Sequence, residues 1–125
     1  MNTNQKESNI KKLLRNYSIE TTPNVYSKYG KFSELVPAKS SVYITYLPDE
    51  NYDKIIDTAK KLSDEGYDPI PHLPSRRIKD KIELENYIGK LSENAGCKKI
   101  LVIGGEGKQK GEISSSLDVL KSDLL

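Results

Sequence analysis

Four polar residues come at the points where successive β-prone segments of the sequence end. Glu20 follows the first segment, Thr45 ends the second, His72 ends the third and Glu106 follows the fourth. Side chains of these types can transfer a proton to a reacting atom or hydrogen-bond a ligand. Because ligands of parallel α/β proteins gather where the strands end at their carboxyl side, we expect these four side chains to meet at one edge.

Each of these residues is also consistent with a role outside chemistry. A glutamate such as Glu20 is often a solvated loop carboxylate, Thr45 is a good strand former, and a single histidine is more often structural than catalytic. The pair Arg76-Arg77 has the chemistry to bind an anionic group, although a charge pair before a helix is usually solvated. The glycine-rich segment 104–111 matches neither common phosphate-binding pattern. The coincidence of four polar strand ends is therefore more informative than any one residue.

The elements that position these residues alternate between strands and helices. Sequence patterns predict strands near 17–21, 42–47, 69–73 and 99–103. Prolines surround the third segment, so we expect that strand either to be brief or to be paired through its other residues, because proline cannot donate to a ladder. The fourth segment has no polar alternation, which predicts a strand buried on both faces.

Apolar residues at helical spacing predict two amphipathic helices between the later strands. The first covers 51–65 and the second covers 80–95. A weaker pattern predicts a helical segment within 24–36. The order of elements is therefore β-α-β-α-β-α-β-α once a last helix is added.

The two ends of the chain carry weaker helical patterns. Residues 1–9 are polar and are expected to be frayed, and a short helix is expected from Ile10. Near the other end, a capping box at Ser115 predicts the last helix. Its expected apolar stripe consists of Leu117, Leu120 and Leu124.

Alternation of this kind predicts an α/β fold with a parallel sheet and right-handed crossovers. Two architectures fit: a small doubly wound sheet, or the N-terminal (βα)4 half of a TIM (β/α)8 barrel, which in full needs about 250 residues. The half-barrel predicts the strand order 1-2-3-4 with the helices on one face. The doubly wound sheet predicts an order such as 2-1-3-4 with helices on both faces.

Composition excludes several classes of protein as first expectations. The 125 residues include 20 basic and 18 acidic side chains, so the net charge of +2 does not favour a nucleic-acid binder. No apolar run is long enough for a membrane span, and no secretory signal is recognisable. One cysteine and one histidine exclude an internal disulfide and a four-ligand zinc site. The expected location is therefore cytoplasmic.

Short motifs at the four strand ends resemble those of the methylenetetrahydrofolate reductase family. That family has Ser-Phe-Glu, Val-Thr-Tyr, Pro-His-Leu and Arg-Gly-Asp motifs in this order, and 111–120 further resembles a divergent bacterial branch. The corresponding segments here are Ser18-Ile19-Glu20, Ile44-Thr45-Tyr46, Pro71-His72-Leu73 and Gly104-Gly105-Glu106. The resemblance covers 15–125, after an N-terminal polar and helical segment over 1–14, and corresponds to strands one to four of the family's barrel.

The resemblance implies a flavoprotein of one-carbon metabolism. In the family, a (β/α)8 barrel binds FAD, NAD(P)H reduces the flavin, and 5,10-methylenetetrahydrofolate is then reduced to 5-methyltetrahydrofolate. Glu20 matches the catalytic general acid, and Glu106 matches an aspartate near the flavin and the pterin. Thr45 and His72 match flavin-contacting positions. Gly104 and Gly105 stand in the turn that contacts the flavin, which makes them cofactor-binding candidates.

This sequence departs from the family pattern at the last motif. Gly104 replaces the arginine and Glu106 replaces the shorter aspartate, and strands five to eight have no counterpart in the 125 residues. The resemblance implies a homo-oligomer when full-length, with a tetrahydrofolate derivative and NAD(P)H as small-molecule partners and no nucleic acid or membrane. Two alternatives remain: a non-catalytic folate- or flavin-binding module, and an unrelated doubly wound domain.

Overall fold

The computed structural model describes residues 2–30 and 32–125. Within these ranges the chain forms four strands, five α-helices and one 3-10 turn at Ser75–Arg77. The strands are β1 (Ile19–Thr21), β2 (Ser41–Ile44), β3 (Asp68–Pro74) and β4 (Leu101–Ile103). The helices are α1 (Thr3–Leu13), α2 (Pro23–Tyr29), α3 (Tyr52–Asp64), α4 (Lys81–Glu93) and α5 (Ser116–Leu120).

The four strands form one parallel sheet in the order β1-β2-β3-β4. The predicted α/β fold with a parallel sheet is therefore confirmed. Its consecutive order is compatible with a half-barrel and differs from the order expected for a doubly wound sheet. In the register, Glu20 lies beside Tyr43, Tyr43 lies beside Ile70, and His72 lies beside Leu101. Since paired residues of a sheet share a face, these side chains all lie on the same side.

The core lies on the other side of the sheet, between the strands and α3 and α4. Alternate strand residues such as Val42, Ile44 and Leu73 are fully buried there. They pack with the apolar stripes of the two helices, which consist of Ile55, Ile56, Ala59 and Leu62 in α3 and of Leu84, Tyr87 and Leu91 in α4. Each helix begins with a side-chain cap, Asn51 for α3 and Asp80 for α4.

The expectation that the fourth strand is buried on both faces is wrong. Val102 packs against the core, but Leu101 is 37% exposed on the opposite face. The reason is that α3 and α4 cover only the face that carries Val42 and Leu73. In this chain, a continuous apolar run such as that of β4 therefore does not indicate that the strand is buried on both faces.

The third strand meets the second of its two expectations: β3 is not brief, since it spans seven residues, and it pairs on both sides through its other residues. The amide of Asp68 donates to Ser40 O at 3.0 Å, so even-numbered amides of β3 face β2. The backbone nitrogens of Pro69 and Pro71 therefore face β4, but the ladder with β4 begins only at His72. The nitrogen of Pro74 faces the β2 side, but Pro74 lies beyond Pro71, the last residue of β3 that pairs with β2. All three prolines thus stand where no ladder bond needs a donor.

The outer helices differ from the sequence expectations in detail. Helix α1 is capped by Asn2 and begins at Thr3, so the expected fraying over 1–9 is wrong for the described part, and Met1 lies outside the described residues. No α1 residue is buried. The predicted segment 24–36 is helical only in α2, which ends at Tyr29, and Lys31 lies outside the described residues.

Helix α5 begins with the predicted capping box, which is confirmed: Asp118 N–H donates to Ser115 Oγ, and the Asp118 carboxylate accepts the Ser115 N–H. Its predicted stripe is wrong at Leu117 and Leu120, which are exposed, although Leu124 packs against the core. The helix has five residues, and its fully buried position is Val119. None of the helices in the described ranges is long and apolar enough to cross a membrane.

Candidate active site

Glu20 and Thr45 meet at the carboxyl edge of the first two strands. Thr45 directly follows β2, where its amide donates to Thr21 O at 2.9 Å and so keeps the residue beside β1. The Thr45 hydroxyl donates a hydrogen bond to Glu20 Oε1. The Glu20 side chain remains 58% exposed. The carboxylate is therefore oriented by the protein and still accessible to a ligand.

His72 lies next to this pair, at the same edge of β3. Its Nε2 is 3.9 Å from Glu20 Oε1, and Nδ1 is buried without a hydrogen-bond partner among the described residues. Burial lowers the pKa of His72, and the Glu20 carboxylate opposes that shift. The imidazole is thus neutral at pH 7, with one ring nitrogen free to bond a ligand.

A cleft of about 340 Å³ opens beside these three residues. Its apolar walls come from the segment after β2, from Pro74 and from Ile103, and its polar groups are few. The lining residues are Thr45, Tyr46, Leu47, Pro48, His72, Pro74, Arg77, Ile103, Gly105 and Glu106. Apolar walls with a small number of polar groups are typical of pockets for organic ligands.

The glycine-rich loop 104–112 closes one side of the cleft by lying along the segment after β3. Arg76 N donates to Gly104 O at 2.9 Å, and Lys110 N donates back to Arg76 O at 2.8 Å. Glu112 N donates to Lys79 O at 3.0 Å. These backbone bonds fix the loop that carries Glu106.

Two glycines of this loop are required by close approach. Gly105 has a φ of +90°, and a Cβ atom there would lie 2.8 Å from Pro74 Cβ. At Gly111, a Cβ atom would lie 1.9 Å from Lys79 O, which is impossible without moving the backbone. These two glycines therefore serve the packing of the loop.

Arg77 lies in the cleft, where the sequence pattern favoured a solvated side chain. One of its guanidinium nitrogens donates to Pro48 O, and Nε is buried without a partner among the described residues. Another guanidinium nitrogen lies 3.7 Å from the position a Cβ atom would take at Gly107. The guanidinium therefore lies between the loops that follow β2 and β4.

Three tyrosines form a cluster beneath the cleft that the sequence analysis missed. Tyr52 and Tyr87 have ring centroids 4.6 Å apart, and Tyr46 stacks edge-on against both at 5.6 and 6.5 Å. Tyr52 OH donates to Arg77 O at 3.2 Å, and Tyr87 OH donates to His72 O at 3.1 Å. Burial raises the pKa of Tyr46, whereas the Arg77 charge opposes that shift. The cluster thus helps to position Arg77 and His72 by hydrogen-bonding their backbone carbonyls.

The sequence pattern places Tyr52 and Tyr87 among the apolar residues of two helices, but it does not predict that they form a cluster. Tyr87 belongs to the apolar stripe of α4 and Tyr52 packs against the core at the start of α3, and such positions show burial without showing where a phenol hydroxyl points. Only the packing of the two helices against the strands brings these hydroxyls to the carboxyl edge.

The structure brings most of the sequence-predicted site residues together. Thr45, His72, Gly105 and Glu106 line one cleft, and Glu20 contacts both Thr45 and His72. Gly104 is not in the lining, and its carbonyl accepts the Arg76 amide. The arrangement offers two carboxylates, one neutral imidazole and one guanidinium around an apolar space. No protein-family model matches the sequence.

Proposed function

We propose that this chain forms the N-terminal half of a (β/α)8 barrel in a flavin-dependent reductase of the methylenetetrahydrofolate reductase type. The reaction is the reduction of 5,10-methylenetetrahydrofolate to 5-methyltetrahydrofolate at the expense of NAD(P)H. The observation that carries the proposal is the convergence of Glu20, Thr45 and His72 at one strand edge. These residues stand in the motifs on which the resemblance rests.

The cleft has the chemistry that a flavin requires. Its walls are largely apolar, which suits a flat aromatic ring, and His72 Nδ1 is a buried polar atom without a partner among residues 2–30 and 32–125. A buried polar atom of this kind is costly unless a ligand or water satisfies it. The residues that would hold the cofactor are Thr45, His72 and Gly105, and a bound flavin would supply the hydride transfer that no side chain provides.

Glu20 is assigned the proton transfer to the folate. Its carboxyl group is accessible, and the Thr45 hydroxyl fixes its orientation through the hydrogen bond to Oε1. A positioned carboxylic acid can protonate a leaving nitrogen in the transition state, which opens the five-membered ring of the substrate. Glu106, on the loop at the other side of the cleft, adds negative charge close to the reacting rings.

The test begins with the complete gene product and its absorbance spectrum, which should show a bound oxidised flavin. The variant Glu20→Gln keeps the shape of the side chain and its acceptor for Thr45 but removes the acid. We expect flavin reduction by NAD(P)H to continue nearly unchanged, while folate reduction falls by about 10²–10⁴-fold, the usual contribution of general acid catalysis.

The matched control is Glu85→Gln, because Glu85 is an exposed glutamate of α4 outside the cleft lining. Both half-reactions of the control should equal those of the wild type. An equal loss in both half-reactions of Glu20→Gln would mean that Glu20 shapes the flavin site instead of donating a proton. Flavin binding without turnover would favour the non-catalytic binding module.

A further inference from the structure

Arg77 carries a positive charge that the cleft does not neutralise. Among the described residues no carboxylate lies within 4.0 Å of its guanidinium. Its only hydrogen-bond partner in this part of the chain is the carbonyl of Pro48, and Nε is buried without one. A half-buried guanidinium with unused donors is suited to an anionic ligand, because charge-assisted bonds are stronger than neutral ones.

The charges on the loop beside Arg77 balance, so the attraction for an anion comes from the guanidinium itself. The loop 104–112 carries Lys108 and Lys110 together with Glu106 and Glu112, and Lys110 is bonded through its backbone to Arg76. Glu106 lies in the same lining and repels any anion there, so a bound anion needs a direct charge-assisted bond to Arg77. A diphosphate brings at least two negative charges and matches the planar fork of arginine.

The position of Arg77 also fits a ligand that combines rings with phosphates. The guanidinium lies in the cleft lining between the loops after β2 and β4, whereas the apolar wall is formed by Tyr46, Leu47 and Pro48. A dinucleotide has this division between flat rings and a charged linker. Tyr52 OH, which bonds Arg77 O, holds the backbone of the arginine in place.

We infer that Arg77 binds the diphosphate group of a dinucleotide in the cleft, an inference that rests on the proposed function. The flavin and the nicotinamide cofactor share this group, and the experiment distinguishes them. The probe is inorganic pyrophosphate, titrated calorimetrically into the complete gene product after removal of any bound flavin. The variants are Arg77→Gln and, as matched control, Arg76→Gln, whose Nε is likewise buried without a partner among the described residues but whose side chain is outside the cleft lining.

The dissociation constant of pyrophosphate should rise by about tenfold or more in Arg77→Gln, because bonds to charged groups contribute about 1.5–3 kcal/mol. In the control it should change by less than about twofold. The dependence of binding on salt should also weaken in Arg77→Gln alone, which a merely structural role would not produce. Equal affinity in the wild type and Arg77→Gln, or an equal loss in both variants, would overturn the inference.

A second measurement uses the wild type, so it does not depend on the folding of a variant. Phenylglyoxal modification, followed by peptide mass spectrometry, should be slowed at Arg77 by pyrophosphate and left unchanged at Arg76. Equal modification of Arg77 with and without pyrophosphate would contradict the site. Displacement of FAD by pyrophosphate assigns the site to the flavin, whereas competition with NAD(P)H alone assigns it to the nicotinamide cofactor.

Failure of this inference and failure of the proposed function give different results. Normal flavin and folate reduction, together with unchanged pyrophosphate binding in Arg77→Gln, would refute the anion site and leave the proposed function standing. Pyrophosphate binding through Arg77 in a protein that takes up no flavin and oxidises no NAD(P)H would remove the proposed reductase and leave an anion-binding cleft.

Discussion

The close approach of Gly111 to Lys79 makes one substitution unusually informative. In Gly111→Ala, the new Cβ atom would begin 1.9 Å from Lys79 O and 2.8 Å from Lys79 Cα. Both are backbone atoms, so no side-chain rotation can relieve the overlap. The loop must retreat by more than about 1 Å to reach ordinary contact distances.

That retreat would break the bonds that hold the loop. The bonds from Glu112 N to Lys79 O and from Lys110 N to Arg76 O measure 3.0 and 2.8 Å, so both would exceed hydrogen-bond range. At about 0.5–1.5 kcal/mol each, their loss lowers the free energy of unfolding by about 1–3 kcal/mol. With a urea m-value of about 1.5 kcal/mol/M, the unfolding midpoint should fall by about 0.7–2 M.

Gly104→Ala is the matched control within the same loop. A Cβ atom there meets no atom of the described residues within 4 Å, and the φ of Gly104 is not positive. Replacing glycine at such a site reduces the entropy of the unfolded chain and should stabilise the protein by about 0.4–1 kcal/mol. The two alanine variants of the complete gene product should therefore shift in opposite directions. Gly111→Ala with the midpoint of the wild type would refute the reasoning.

Two further predictions concern His72 and the isolated chain. Burial holds the pKa of His72 in the folded protein below its value in the unfolded chain. The free energy of unfolding should therefore fall as the pH drops below about 6.5 towards the folded pKa. The variant His72→Asn should reduce this loss, measured by urea titrations at pH 8 and pH 5. A pH dependence identical to the wild type would show that His72 is not responsible. The isolated 125-residue chain, with exposed Leu101 in the edge strand β4, should be colourless, inactive and either self-associating or poorly folded by size-exclusion chromatography and circular dichroism. A yellow, monodisperse monomer with cooperative unfolding would contradict that expectation.

The succession of elements could be predicted from the sequence because local patterns determine it. The apolar stripes of α3 and α4 and the β-branched run of β2 are signals that need no partner to be recognised. Polar residues at strand ends could be placed at one edge, since parallel strands all end on the same side. Thr45, His72 and Glu106 are therefore found in one cleft.

Features that depend on which neighbour lies on which side could not be predicted. Leu101 is exposed because no helix in the described part of the chain covers its face, and in α5 the residue that packs inward is Val119, whereas Leu117 is exposed. Two hydrogen bonds hold Arg77 at the cleft. Tyr52 OH donates to the Arg77 carbonyl, and the Arg77 guanidinium donates to the Pro48 carbonyl. Each of these outcomes follows from tertiary packing, to which a single sequence gives no direct access.

The three prolines of β3 have a consequence for the alignment of the site. If β3 slipped by one residue along β2, Pro69 and Pro71 would turn towards β2 carbonyls and offer them no hydrogen. The same slip would turn His72 to the core face and Leu73 to the cleft, because side chains alternate along a strand. The prolines therefore penalise a misalignment that would separate His72 from Glu20. The prolines of β3, which look poorly suited to a sheet, thus help to fix the register of this strand against its neighbours.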